Sequence, residues 1–204
     1  MATLGFTRDD FGAFAIEGFS ARLAKIYELV RPKLIRLGGE LAPELARRMH
    51  MEFFLHVARH MRRAAPPESQ AAFGQSPKGY KRYPYLALCI SGAGIHARAV
   101  VKPEADGRAE MAENLAAKAA SLEKSFRGTR IGRYDKWDRD ALPAAIPAER
   151  GLFVELASGL EKKTGGLDVG FGWPLRDALR LERGELIDAY RELEPLYRIL
   201  RAVA

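Results

Sequence analysis

Residues 56–63, His56-Val-Ala-Arg-His-Met-Arg-Arg63, place two imidazoles and three guanidinium groups within eight positions. Guanidinium groups bind phosphate or carboxylate through paired N–H donors, and imidazole donates or shuttles a proton near neutral pH. The run reads as an anion site. As a strand it puts His56, Ala58, His60 and Arg62 on one face; as a helix it stacks His56, His60 and Arg63, with Glu52 one turn earlier. The strand is preferred, because Pro66-Pro67 ends the run abruptly and the next segments read as extended. The helical alternative offers Glu52, His56 and His60 as metal ligands. Arg59, Arg62 and Arg63 would repel a cation there, and the His-Glu-x-x-His spacing is absent, so no metal is expected.

A second basic element, Lys78-Gly-Tyr-Lys-Arg-Tyr83, interleaves Tyr80 and Tyr83 with Lys78, Lys81 and Arg82. Rings beside cations are a common way to hold single-stranded nucleic acid; the plainer reading is a surface turn whose aromatic edges pack on a sheet. Ser91-Gly-Ala-Gly-Ile-His-Ala97 contains a Gly-x-Gly-x-x-Ala string. A dinucleotide loop must open a helix, whereas Ile95 onward reads as a strand, so the match is rejected. Asp135, Asp138 and Asp140 lack the glycine and terminal glutamate of a calcium loop. Cys89 lies in an apolar strand arm and reads as core. No nucleophile–base order or carboxylate pair stands out among 26 acidic residues, so catalysis has no sequence warrant and no cofactor is expected.

Charge narrows the choice of partner. The chain carries a formal net charge of +7, and residues 20–103 alone hold 15 Lys and Arg against 5 Asp and Glu. Such a local field concentrates anions, so the expected partner is an anionic ligand, nucleic acid among the candidates. No apolar run approaches the roughly 18 residues of a membrane span, and no membrane partner is expected. One cysteine excludes an intrachain disulfide, and residues 1–10 show no apolar leader; a cytoplasmic location is expected.

These residues need elements to place them. Leu23, Ile26, Val30, Leu34 and Leu37 recur at helical spacing, with Ser20 as N-cap, Pro32 as a kink and Gly38-Gly39 as the end. Leu41, Leu45 and Met49 predict a short second helix. Residues 83–90 and 95–102 flank Ser91-Gly-Ala-Gly94 as a hairpin. Its second arm puts Ile95, Ala97, Ala99 and Val101 on a core face, and His96, Arg98, Val100 and Lys102 on a polar, basic one. Beyond residue 102 the order is helix, strand, helix, strand, helix, with residues 167–173 an alternating strand and Pro195 a kink in the last helix. Strands clustered in the middle among helices predict an α+β fold. The expectation is a single domain, residues 1–204, with a central largely antiparallel or mixed sheet flanked by helices.

Several of these strings also occur together in a known family. Phe6-Thr7, Asp10-Phe11, Phe14 and Ile16-Glu17-Gly18, then Arg31-Pro-Lys-Leu34 with Leu37-Gly38, His56-Val-Ala-Arg-His60 with Arg62-Arg63, Pro66-Pro67, Ala72-Phe73 and Gly79-Tyr-Lys81 before Pro84 follow one another in order. Over its first half the chain resembles the YktB-like family of uncharacterised bacterial proteins (domain of unknown function 1054). The resemblance implies one α+β domain in a cytoplasmic bacterial protein and carries no activity, substrate or cofactor. Ala65, Ala71, Tyr85 and Ser91 stand where the family pattern has Asn, Trp, His and Trp, which weakens an aromatic platform or a three-histidine site. The basic residues all match.

The leading expectation is therefore a binding module. His56, His60, Arg62, Arg63, His96 and Arg98 would line a basic sheet face, with Lys78, Tyr80 and Lys81 at its rim, for a phosphate-bearing or nucleic-acid ligand. An enzyme using His56 or His60 as general acid/base on a small anionic substrate is the alternative, and an interaction scaffold the third reading.

Overall fold

The structure is a computed structural model and describes residues 3–60, 64–135, 137, 141–149 and 151–202. After a short α1 (Arg8–Gly12), the helical stripe forms one continuous run: α2 (Phe19–Lys25), a π-helical turn over Ile26–Val30, and α3 (Arg31–Met49). Gly18, not Ser20, is the N-cap. Pro32 supplies no backbone donor, and the wide turn just before it accommodates the mismatch. Gly38-Gly39 does not end the helix, because Gly38 has a packing role instead. A Cβ there would meet Leu55 Cδ1 at 2.5 Å, so the glycine lets α3 lie on the first strand. Leu41, Leu45 and Met49 belong to the same helix and are fully buried. Termination comes at His50, in the left-handed region (φ 51°).

Among the described residues seven strands form one sheet: β1 (Phe54–Val57), β2 (Glu68–Gly74), β3 (Tyr85–Ser91), β4 (Gly94–Val101), β5 (Arg130–Arg133), β6 (Ile146–Pro147) and β7 (Leu167–Pro174). Their order is β1-β2-β3-β4-β7-β5-β6, and every pairing is antiparallel. The remaining helices are α4 (Arg108–Ala117), α5 (Ala119–Ser125), α6 (Leu152–Glu161), α7 (Leu175–Ala178) and α8 (Arg183–Arg201). The architecture is α+β. Among the described residues no helix is long and apolar enough to cross a membrane.

Alternation along the strands gives the sheet two unlike faces. Phe73, Leu86, Leu88, Ile95, Ala97, Ala99 and Val169 join one buried apolar core with Val30, Leu34, Leu37, Tyr190, Leu193 and Tyr197 of the long helices. Across the other face one row runs His56, Ala72, Ala87, Arg98, Gly170, Gly132. Its residues are mostly small, which leaves room for loops to descend onto the sheet. A Cβ on Gly74 would lie 3.0 Å from Tyr80 Cβ, one on Gly172 would lie 2.5 Å from the Tyr134 hydroxyl, and one on Gly170 only 2.0 Å from the Ala97 carbonyl oxygen.

The strand reading of residues 56–63 holds as far as Ala58, whose N–H donates to the Gln70 carbonyl at 2.9 Å. His60 then turns into the left-handed region (φ 47°). Being extended, the segment does not stack Glu52, His56 and His60, which overturns the helical alternative. Arg62 and Arg63 lie outside the described residues.

Candidate binding face

Arg98 sits at the centre of the sheet face opposite the long helices, with a side chain only 2% exposed. Its Nη2 donates to Glu68 Oε2 at 2.7 Å and its Nη1 to Asp168 Oδ2 at 3.3 Å. Nη2 and Nε also reach Cys89 Sγ at 2.6 and 3.2 Å, and the guanidinium carbon lies 4.9 Å from the Tyr134 ring centre. Burial works against the charge, but the Asp168 and Glu68 carboxylates more than offset it and hold Arg98 protonated well above its usual range. Asp168 is pushed up by burial, with Arg98 and then Lys102 opposing; the Lys102 ammonium stands 3.9 Å away. Asp168 Oδ1 is buried without a hydrogen-bond partner among the described residues.

Polar side chains extend this centre in both directions along the strands. Gln70 donates from Nε2 to the hydroxyls of Tyr80 (3.3 Å) and Tyr85 (3.5 Å) and accepts from the Cys89 thiol at 3.6 Å. Burial drives the thiol up to about 12, with Arg98 opposing, so Cys89 is protonated and inert. It packs with Ala72, Tyr85, Ala87 and Val100 in a small buried cluster on this face, a core position as its apolar strand suggested. His56 stacks on Tyr80 (ring centres 4.8 Å apart) and donates through Nε2 to the Ser76 carbonyl at 2.9 Å.

His96 is fully buried beside Tyr134 and Trp137, with ring centres 5.0 and 4.8 Å away. Ser91 Oγ accepts the Ala93 N–H at 3.2 Å and lies 3.1 Å from His96 Nε2, within hydrogen-bond distance of the imidazole. Burial first, and the Arg98 charge second, hold His96 well below its usual value, with the Gly94 backbone opposing in part. The Ser91–His96 pair braces the tight turn of the β3–β4 hairpin.

The register thus brings His56, His96 and Arg98 onto one face, as the alternation predicts. His60 is not with them: its Nε2 lies 3.0 Å from Ser69 Oγ, on the strand position that points to the helix side. Lys78 and Lys81 are exposed on the β2–β3 connection, and Tyr80, half-buried between them, folds onto the sheet. The expectation of an open, basic face is corrected at its centre. There Arg98 and His96 are buried, and the two carboxylates engage the Arg98 fork. Glu68, Asp168, Gln70 and Tyr134 were not singled out from sequence; the alternation that isolates Asp168, Gly170 and Gly172 from Leu167, Val169 and Phe171 is the one signal that marks an acidic position on this face.

The family model described as "Domain of unknown function (DUF1054)" matches residues 6–197. A UPF0637 protein of Bacillus velezensis is 30% identical over 218 residues, covering all of both chains. Another, from Lysinibacillus sphaericus, is 32% identical over 98% of this chain and 97% of its own. A third, from Bacillus licheniformis, is 42% identical over 90 residues, 43% of each chain. Matched along nearly its whole length, this chain belongs to the uncharacterised bacterial family defined by that domain of unknown function.

Proposed function

We propose that the sheet face opposite the long helices binds a phosphate-bearing ligand, single-stranded nucleic acid included. Lys78 and Lys81 contact phosphate, Tyr80 offers a stacking ring and His56 backs that ring. The observation that carries this reading is the β2–β3 connection. It holds two exposed ammonium groups that have no ion pair among the described residues, on either side of a half-buried tyrosine laid over a polar sheet. Arg98 does not itself bind the ligand. Clamped by Glu68 and Asp168, it fixes the floor beneath Tyr80 and Tyr134. A buried ion network is a poor source of stability compared with apolar packing, and a ligand-binding role accounts for its presence on a face that none of the described α-helices covers. A cytoplasmic location accords with a single thiol and an anionic metabolite or nucleic-acid partner.

The test is fluorescence anisotropy of labelled single-stranded DNA and RNA at two salt concentrations, with pyrophosphate as competitor. Binding should weaken with salt at a log–log slope of roughly −0.7 per phosphate contacted, and pyrophosphate should displace the oligonucleotide. Retention of the oligonucleotide in excess pyrophosphate would contradict phosphate recognition.

A second reading, an enzyme acting on a small phosphate ester, rests on His56, which is half-buried beside these lysines while His96 is sealed in. It requires turnover of p-nitrophenyl phosphate that His56→Gln abolishes; a wild-type protein without turnover would dismiss it.

A further inference from the structure

A groove of about 610 Å³ opens at the end of β3 opposite Lys78 and Lys81. Ala93 of the hairpin turn, Leu142, and Pro174 with Leu175 where β7 passes into α7 form its apolar wall. Arg8 of α1 and Arg176 of α7 flank it, both exposed. No carboxylate stands among its described lining residues, and neither arginine has a hydrogen bond or ion pair among the described residues. Leu142 lies directly over the sheet, where a Cβ on Gly172 would come within 3.3 Å of its Cδ1. The volume falls in the range of small-molecule sites, which combine apolar walls with a few polar groups.

We propose that this groove binds an amphipathic anion, with its acidic head between Arg8 and Arg176 and its apolar body on Leu142, Pro174 and Leu175. Two guanidinium groups that are unpaired among the described residues supply paired donors for a carboxylate or phosphate. The described side chains of the wall between them are apolar. The site is separate from the Lys78–Lys81 face, and its ligand is distinguished from a bare phosphate by requiring the hydrocarbon.

Both tryptophans report on it. Trp173 precedes Pro174, and Trp137 donates its ring N–H to the carbonyl of Ala141, another lining residue. The full chain is titrated with octanoate and with octyl phosphate, each below its micellar concentration, while tryptophan fluorescence is followed. At least one should bind saturably, and the tighter of the two identifies the head. 1-Octanol, which lacks the charge, should bind at least about tenfold more weakly, the worth of one charge-assisted hydrogen bond; acetate, which lacks the tail, should lose at least about as much, the worth of burying roughly two methylenes. Arg8→Gln combined with Arg176→Gln should cost at least that factor while leaving the urea midpoint and oligonucleotide binding unchanged. Octanol binding as tightly as octanoate, undiminished binding by the double variant, or no saturable binding of either amphiphile would overturn the proposal.

Discussion

Replacing Arg98 by methionine removes a buried cation and leaves two carboxylates behind. Glu68 keeps part of its side chain in water, at 20% exposed, so the larger cost falls on Asp168, at 13%. That carboxyl can escape by taking up a proton, which sets a ceiling. An unfolded aspartate titrates near 3.9, so neutralising it at pH 7 costs at most about 4 kcal/mol, at about 1.4 kcal/mol per pH unit. Losing the ring contact with Tyr134 adds on the order of 1 kcal/mol, while methionine recovers some apolar packing. The net expected loss is about 3–4 kcal/mol at pH 7, in line with breaking a buried ion pair. The sign with pH is fixed. In the variant Asp168 has a raised folded pKa, so folding takes up a proton, and the penalty shrinks as pH falls, to a ceiling of about 1.5 kcal/mol near pH 5. Urea melts of wild type, Arg98→Met, and Arg98→Met with Asp168→Asn, at both pH values, measure this. The double variant should regain about 2 kcal/mol at pH 7. A loss under about 1 kcal/mol, or one that neither pH nor Asp168→Asn relieves, would refute the reasoning.

His96, and more weakly His60, are held below their usual values by burial, so the unfolded chain binds protons first as pH falls below about 6.5. Stability should decline there by up to about 1.4 kcal/mol per pH unit for each histidine, and a His96→Gln variant should show a shallower slope in urea melts. Gly170→Ala drives a Cβ onto the Ala97 carbonyl, where backbone on both sides must move; a loss of at least about 2 kcal/mol or a failure to fold is expected, and an unchanged midpoint would show that the β4–β7 pairing relaxes freely. Cys89, buried and with its thiol at about 12, should resist a thiol reagent in the native state and react only as fast as the protein opens; immediate labelling at neutral pH would contradict that burial.

The alternation of Leu167, Val169 and Phe171 against Asp168, Gly170 and Gly172 sufficed to predict β7, and the hairpin around Gly92-Ala93 was legible with the correct face for His96 and Arg98. Local pattern carries both, because each strand alternates within itself. Gly38-Gly39 misled because a glycine pair looks the same whether it ends a helix or admits a neighbour, and Leu55, the neighbour, is remote in sequence. β2 read only as extended, without bounds: Glu68-Ser-Gln-Ala-Ala-Phe-Gly74 follows two prolines and has no β-branched residue, so its strand limits come from pairing on both sides. The same distance concealed the state of Arg98. Its carboxylate partners lie 30 and 70 positions away, and no spacing rule joins them. Sequence shows that a strand places a cation on the polar face; only the sheet order shows that the cation is already neutralised.

The central claim is that phosphate binds at the β2–β3 connection rather than wherever the chain is positive. Lys78→Glu with Lys81→Glu can be set against Lys124→Glu with Arg127→Glu, an equal change of charge on exposed residues lining a different groove. Anisotropy of a labelled single-stranded oligonucleotide, measured on both variants and the wild type at one salt concentration, separates site from field. The Lys78/Lys81 variant should lose at least about tenfold in affinity and shed about two phosphates' worth of salt dependence, while the Lys124/Arg127 variant stays within a few-fold of wild type. Equal losses in the two variants would mean generic electrostatic attraction and no site on this face.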